Sequence, residues 1–147
     1  MEQLTIQNVD STIKFELCKE AEWDGEYGSC IAKIKYECRD RTIFSESVWW
    51  MEVWTLRDFI IGMRSMYKNL QGEAKLCTEW DSSLVMKMVG NDGHISVDIK
   101  DGKDGEYDDY LHISFNIDQS YLPELIKQAE TLCPPKKSLL QRLGLLK

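Results

Sequence analysis

Few of the residue combinations that carry catalysis or metal binding occur in this chain. Its two histidines, His94 and His112, stand apart, and its five cysteines (Cys18, Cys30, Cys38, Cys77, Cys133) are odd in number and widely spaced, with no C-x-x-C pair. That pattern argues against a structural zinc site and against a disulfide framework. No G-x-S-x-G, H-E-x-x-H or phosphate-binding glycine loop is present, so no enzymatic activity and no cofactor is expected. The opening residues MEQLTIQNVD have neither the basic region nor the apolar region of a signal peptide. No apolar run reaches the roughly 18 residues that a membrane span needs. The expectation is a reduced protein of the cytoplasm that does not engage membranes.

Charge is plentiful but unevenly placed. The net charge is −7, yet the last twelve residues hold four basic side chains (Lys136, Lys137, Arg142, Lys147) and no acidic one. Removing those four charges from the total of −7 leaves −11 for the other 135 residues. A body this acidic repels nucleic acid and speeds encounter with basic protein surfaces, although acidity also serves solubility alone.

Period-two alternation marks strands at 13–17, 30–38, 42–50, 74–80, 84–89, 95–100 and 110–117. In the second of these, Cys30, Ala32, Ile34, Tyr36 and Cys38 point one way, with Lys33, Lys35 and Glu37 opposite. R-D-R after Cys38 and G-N-D-G-H at 90–94 read as hairpin turns. Between the two strand blocks the period changes. Leu56, Phe59, Ile60, Met63, Tyr67 and Leu70 follow helical spacing, with Thr55 and Asp58 as a variant capping box and Gly72 as the stop. A second amphipathic helix carries Leu122, Leu125, Ile126, Ala129 and Leu132, capped by Asp118 or Ser120, with Pro123 in its first turn. The architecture expected is α+β: a mostly antiparallel sheet built from hairpins, two amphipathic helices packed on one face, and a short basic C-terminal helix. Residues 1–133 form one domain on this reading, and 134–147 a basic amphipathic tail.

The tetrapeptide D-G-E-Y occurs twice, at 24–27 and 104–107, in two acidic stretches. Neither has the ligand spacing of a calcium loop: counting from Asp101, the third and fifth positions are Lys103 and Gly105, and counting from Asp104, the sixth is Asp109 and the twelfth Phe115. No metal is expected there. Residues 19–27 carry a net −3 and residues 101–109 a net −4, each with aromatic side chains among the acids. That composition suits a surface that docks on a basic protein, and the residues expected to do so are Glu22, Asp24, Glu26, Asp101, Asp104, Glu106, Tyr107, Asp108 and Asp109. The second copy of D-G-E-Y is the favoured contact, while a solvated hairpin tip is the plainer alternative. Trp49 and Trp50 alternate to opposite faces, so at least one lies away from the main core. It is covered by a loop or the tail, or it meets a sugar or a protein. His112 falls on the polar side of its strand without an evident nucleophile beside it.

The order of motifs resembles the WapI-type immunity proteins of bacterial contact-dependent toxin systems. The resemblance is carried by WDGEYGSCIAKIKYE, WTLRDFIIGM, GNDGHISVDI and LHISFNIDQSYLPELI, spanning roughly residues 13–132 and leaving the basic tail outside. Two departures stand out: Tyr27 occupies a position where such proteins typically have Trp, and the 101–109 stretch is unusually acidic. The resemblance implies a non-catalytic protein that binds a cognate toxin domain, a basic nuclease among the candidates, and blocks its activity. Its oligomeric state is left open. The alternatives are a small carbohydrate-binding or hydrolytic domain using residues 49–54, or an adaptor module whose tail docks elsewhere.

Overall fold

The computed structural model describes residues 2–20, 23, 26–79, 81–90, 92–102 and 111–133. The expected tail helix at 134–147 and the 103–110 segment lie outside the described residues, as does Trp80, the expected end of the 74–80 strand.

Alternating sequences form strands β1 (Gln3–Gln7), β2 (Ile13–Lys19), β3 (Tyr27–Cys38) and β4 (Arg41–Glu52), and, after helix α1 (Val53–Asn69), β5 (Glu73–Cys77), β6 (Ser83–Val89), β7 (His94–Asp101) and β8 (Leu111–Asp118). Helix α2 (Leu122–Leu132) follows. The seven expected strands are present with small shifts at their ends. β1 was not foreseen, because Leu4 and Ile6 are its only apolar residues; both are buried once the strand pairs with β2.

The expectation of one sheet with both helices on one face is overturned. The strands form two separate four-stranded antiparallel sheets, ordered β1-β2-β3-β4 and β5-β6-β7-β8. Periodicity assigns each strand an apolar face and short turns assign each its hairpin partner, but neither says whether β4 and β5 pair across the helix between them. They do not. α1 packs chiefly on β5 and on α2, while α2 packs on β1, so each helix lies against an edge strand of a different sheet. Gln128 of α2 accepts the Thr5 backbone N–H at 2.9 Å, occupying a hydrogen-bonding group of an edge strand. Arg64 of α1 and Glu130 of α2 form an ion pair between the helices.

Register brings the apolar faces into rows. Leu4, Leu17 and Ala32 stand opposite one another across the first sheet, as do Ile6, Phe15 and Ile34. Ala74, Met86, Val97 and Phe115 do the same across the second. These rows join the stripe of α1 (Leu56, Phe59, Ile60, Met63, Met66) and that of α2 in one buried cluster. Trp49 and Phe15 meet there with ring centroids 5.4 Å apart.

α1 departs from the expected ends. It begins at Val53, directly after β4, with no side-chain cap at Glu52; Thr55 is buried instead. The Val53 N–H donates to the Glu26 carbonyl at 2.7 Å, so a backbone partner from the neighbouring strand end replaces a cap. Met66, not Tyr67, completes the buried stripe, and Tyr67 and Leu70 are exposed. Leu70 takes the left-handed conformation and its N–H closes on the Met66 carbonyl, with Gly72 at φ 103° two residues on. Neither Asp118 nor Ser120 caps α2, whose N-cap is Tyr121 with no side-chain bond; Asp118 instead accepts the Ser120 N–H at 2.8 Å and caps the short 3₁₀ turn that precedes the helix.

Candidate functional site

Three of the places where described residues gather polar side chains bear on function, and they differ in what they can do. On the solvent face of the second sheet, Asp98 of β7 stands opposite Ser114 of β8. Its Oδ1 accepts the Ser114 hydroxyl and lies 3.2 Å from His112 Nε2. The Ser114 bond, with a smaller contribution from His112, holds the Asp98 carboxyl below its ordinary range. Because the carboxylate takes both neighbours, serine and imidazole are not bonded to each other. The arrangement lacks the nucleophile–base contact that acyl chemistry needs. Among the described residues no group of three or more His, Cys, Asp or Glu side chains is placed to hold a metal ion.

The second place is interior. Asp101, expected on the docking surface, is fully buried, with Ser47 Oγ at 2.6 Å and the Ser45 and Ser82 hydroxyls at 3.5 Å. Ser82 Oγ also accepts the Gly102 N–H at 2.9 Å. Asp101 continues the inward row of Ile95, Val97 and Ile99, so its carboxylate faces the first sheet rather than solvent. The hydroxyls are what make a buried polar group tolerable there.

The third place is the end of the β3–β4 hairpin. Cys38 opposite Arg41 sets the register, which places Tyr27 opposite Glu52 and Ser29 opposite Trp50. Tyr27 donates its hydroxyl to Glu52 Oε1 at 3.1 Å. That bond, with the charges of Glu52, Glu79 and Glu26, raises the phenol above its ordinary value. Tyr27 is 45% exposed, Trp50 49% and Trp54 59%, so three aromatic rings meet solvent here. An open groove is lined by Glu26, Tyr27, Glu52, Val53, Trp54 and Arg57. Glu79 reaches the same end because its backbone N–H donates to the Trp50 carbonyl at 3.0 Å. Trp23 is buried beneath, its ring occupying the space that a side chain at Gly28 would take.

Of the residues expected to dock a partner, Glu26 is exposed at this groove and Asp101 is interior. Glu22, Asp24, Asp104, Glu106, Tyr107, Asp108 and Asp109 lie outside the described residues. Sequence reasoning named residues 49–54, which include Glu52 and Trp54, only for the carbohydrate-binding or hydrolytic alternative, and did not single out Glu79. The tight turn after Cys38 could have disclosed Glu52, since counting back along both strands pairs it with Tyr27; Glu79 has no comparable local signal.

Together these features describe a protein of two antiparallel four-stranded sheets and two helices whose exposed aromatic and acidic side chains converge on an open groove. Residues 3–134 match the immunity protein WapI-like family, and the chain belongs to that family. No curated protein and no solved structure matches it. No helix among the described residues is long and apolar enough to cross a membrane.

Proposed function

We propose that this protein neutralises a cognate toxin domain by binding it stoichiometrically in the cytoplasm, without catalysing a reaction. Family membership over residues 3–134 is the observation that carries the reading. The charge of the chain supports a basic partner, for which a nuclease domain is one fitting class: acidic side chains accelerate encounter with such a surface and discriminate against acidic ones. The proposed contacts are the acidic stretches, with Glu22, Asp24 and Glu26 in the first and Asp104, Glu106, Tyr107, Asp108 and Asp109 in the second. Asp101 serves the interior beside them.

The test is co-expression with the toxin encoded beside this chain's gene, combined with titration of the purified pair. Rescue of growth and a one-to-one complex are expected. Charge reversal at Asp104, Glu106 and Asp108 is expected to weaken the complex and flatten its salt dependence. Neither rescue nor binding by the wild-type chain would end the immunity reading.

A further inference from the structure

The hairpin end combines three properties that are separately common and jointly unusual. Trp50 and Tyr27 are diagonal neighbours on the outward face of β3 and β4, and Trp54, the second residue of α1, borders the groove beside Tyr27. Large aromatics exposed together mark interaction surfaces more often than isolated ones do. The rim is acidic on balance, with Glu26, Glu52 and Glu79 around these rings against the single cation Arg57 in the groove lining. The parts are also held in place before any partner arrives. Glu52 is bonded by the Tyr27 hydroxyl, the Glu26 carbonyl by the Val53 N–H, and the Trp50 carbonyl by the Glu79 N–H. The last two bonds fix the backbone that carries Glu26, Trp50 and Glu79, and the first fixes the Tyr27 and Glu52 side chains, so less conformational freedom is lost on binding.

We infer that the strip formed by Trp50, Tyr27 and Trp54, rimmed by Glu26, Glu52 and Glu79, is the surface on which a basic protein docks, with an arginine or lysine of that protein entering the groove between Tyr27 and Trp54. The inference rests on the immunity reading, which makes the cognate toxin domain the occupant. Charge complementarity selects a basic partner over an acidic one, and ring faces next to carboxylates suit a guanidinium through stacking and paired hydrogen bonds. Tyrosine and tryptophan anchors of this kind carry most of the energy at protein interfaces. The first D-G-E-Y copy supplies two of the six residues, Glu26 and Tyr27, and β4, α1 and the segment after β5 supply the others.

The experiment is calorimetric titration of the full chain with the toxin domain encoded beside its gene, using variants whose thermal midpoints match wild type. Trp54→Ala is expected to weaken binding by about 30-fold or more, the loss typical of an anchor residue. The pair Glu26→Lys and Glu79→Lys is expected to weaken it about tenfold or more and to reduce its salt dependence. The pair Glu37→Lys and Asp40→Lys changes the net charge equally at the opposite end of the same hairpin and is expected to stay within about twofold. If the groove variants bind as wild type, or the distal pair weakens binding as much as the groove pair, the docking site is wrong while toxin binding stands. If the wild-type chain neither binds nor rescues, the immunity reading fails and the inference with it. Binding of cellohexaose that Trp54→Ala abolishes, with toxin affinity unchanged in that variant, would assign the groove to carbohydrate and overturn the proposal.

Discussion

Cys30 and Trp49 stand opposite each other on the inward face of the β3–β4 hairpin, both shielded from solvent. Burial pushes the Cys30 thiol up to about 12, so almost no reactive thiolate exists there near neutral pH. Cys38 and Cys77 are exposed, and all five thiols are free. Alkylation at pH 8 followed by peptide mass spectrometry is expected to modify Cys38 and Cys77 well before Cys30. Equal rates would mean that the hairpin opens readily in the native state. The same alternation that buries Trp49 turns Trp50 outward, which is why two adjacent tryptophans have such different roles. It also carries Asp101 inward, two positions beyond Ile99, although its acidic surroundings in sequence suggested a surface loop. At this scale local pattern is informative, and composition read without pattern misleads.

Close approach governs the elements. A Cβ added at Gly62 of α1 would sit 2.9 Å from the Ala74 Cα of β5, against backbone that cannot rotate aside. Gly62→Ala would gain up to about 1 kcal/mol of helix propensity. Overpacking costs typically 1–3 kcal/mol, and more where the obstacle is rigid, so net destabilisation is expected in urea unfolding. A more stable variant would show that α1 can withdraw from β5. Nothing in the helical spacing distinguishes Gly62 from an idle exposed position, because the strand it touches is found only after the chain turns back. The start of α1 was hidden for a similar reason: its first N–H is satisfied by Glu26, 27 positions earlier in the sequence, not by a nearby side chain.

Across the whole molecule, the contact between Ser47 of β4 and Asp101 of β7 bridges the two sheets. Ser47→Ala removes a 2.6 Å hydrogen bond to a buried carboxyl group, and its expected cost is about 1–3 kcal/mol of unfolding free energy. No loss of stability would mean that the other partners of Asp101 suffice. Acid should weaken the fold as well. Asp98 is held below its ordinary value of 3.8 mainly by Ser114, and Asp118 by the Ser120 backbone N–H. A carboxyl that holds its proton less tightly when folded contributes stability in full above its unfolded value. That contribution is lost as pH falls through the folded value. The thermal midpoint is therefore expected to drop below about pH 4, where such carboxyls begin to protonate. Ser114→Ala should make that drop shallower, and an unaltered acid limb would remove Asp98 from the explanation.

The sequence by itself determined the seven strands from Ile13 onward, the existence of both helices and most of their buried positions, and the β3–β4 hairpin. All of these depend on periodicity or on groups a few residues apart, which is the range over which backbone geometry repeats. Only the tertiary structure decided that β4 and β5 part into two sheets, that each helix covers a different sheet edge, and that Asp101 meets three serines. It alone brought Glu79 beside Tyr27 and Trp50. Those outcomes depend on which apolar faces meet after the chain folds back, and no repeat along the sequence encodes that choice.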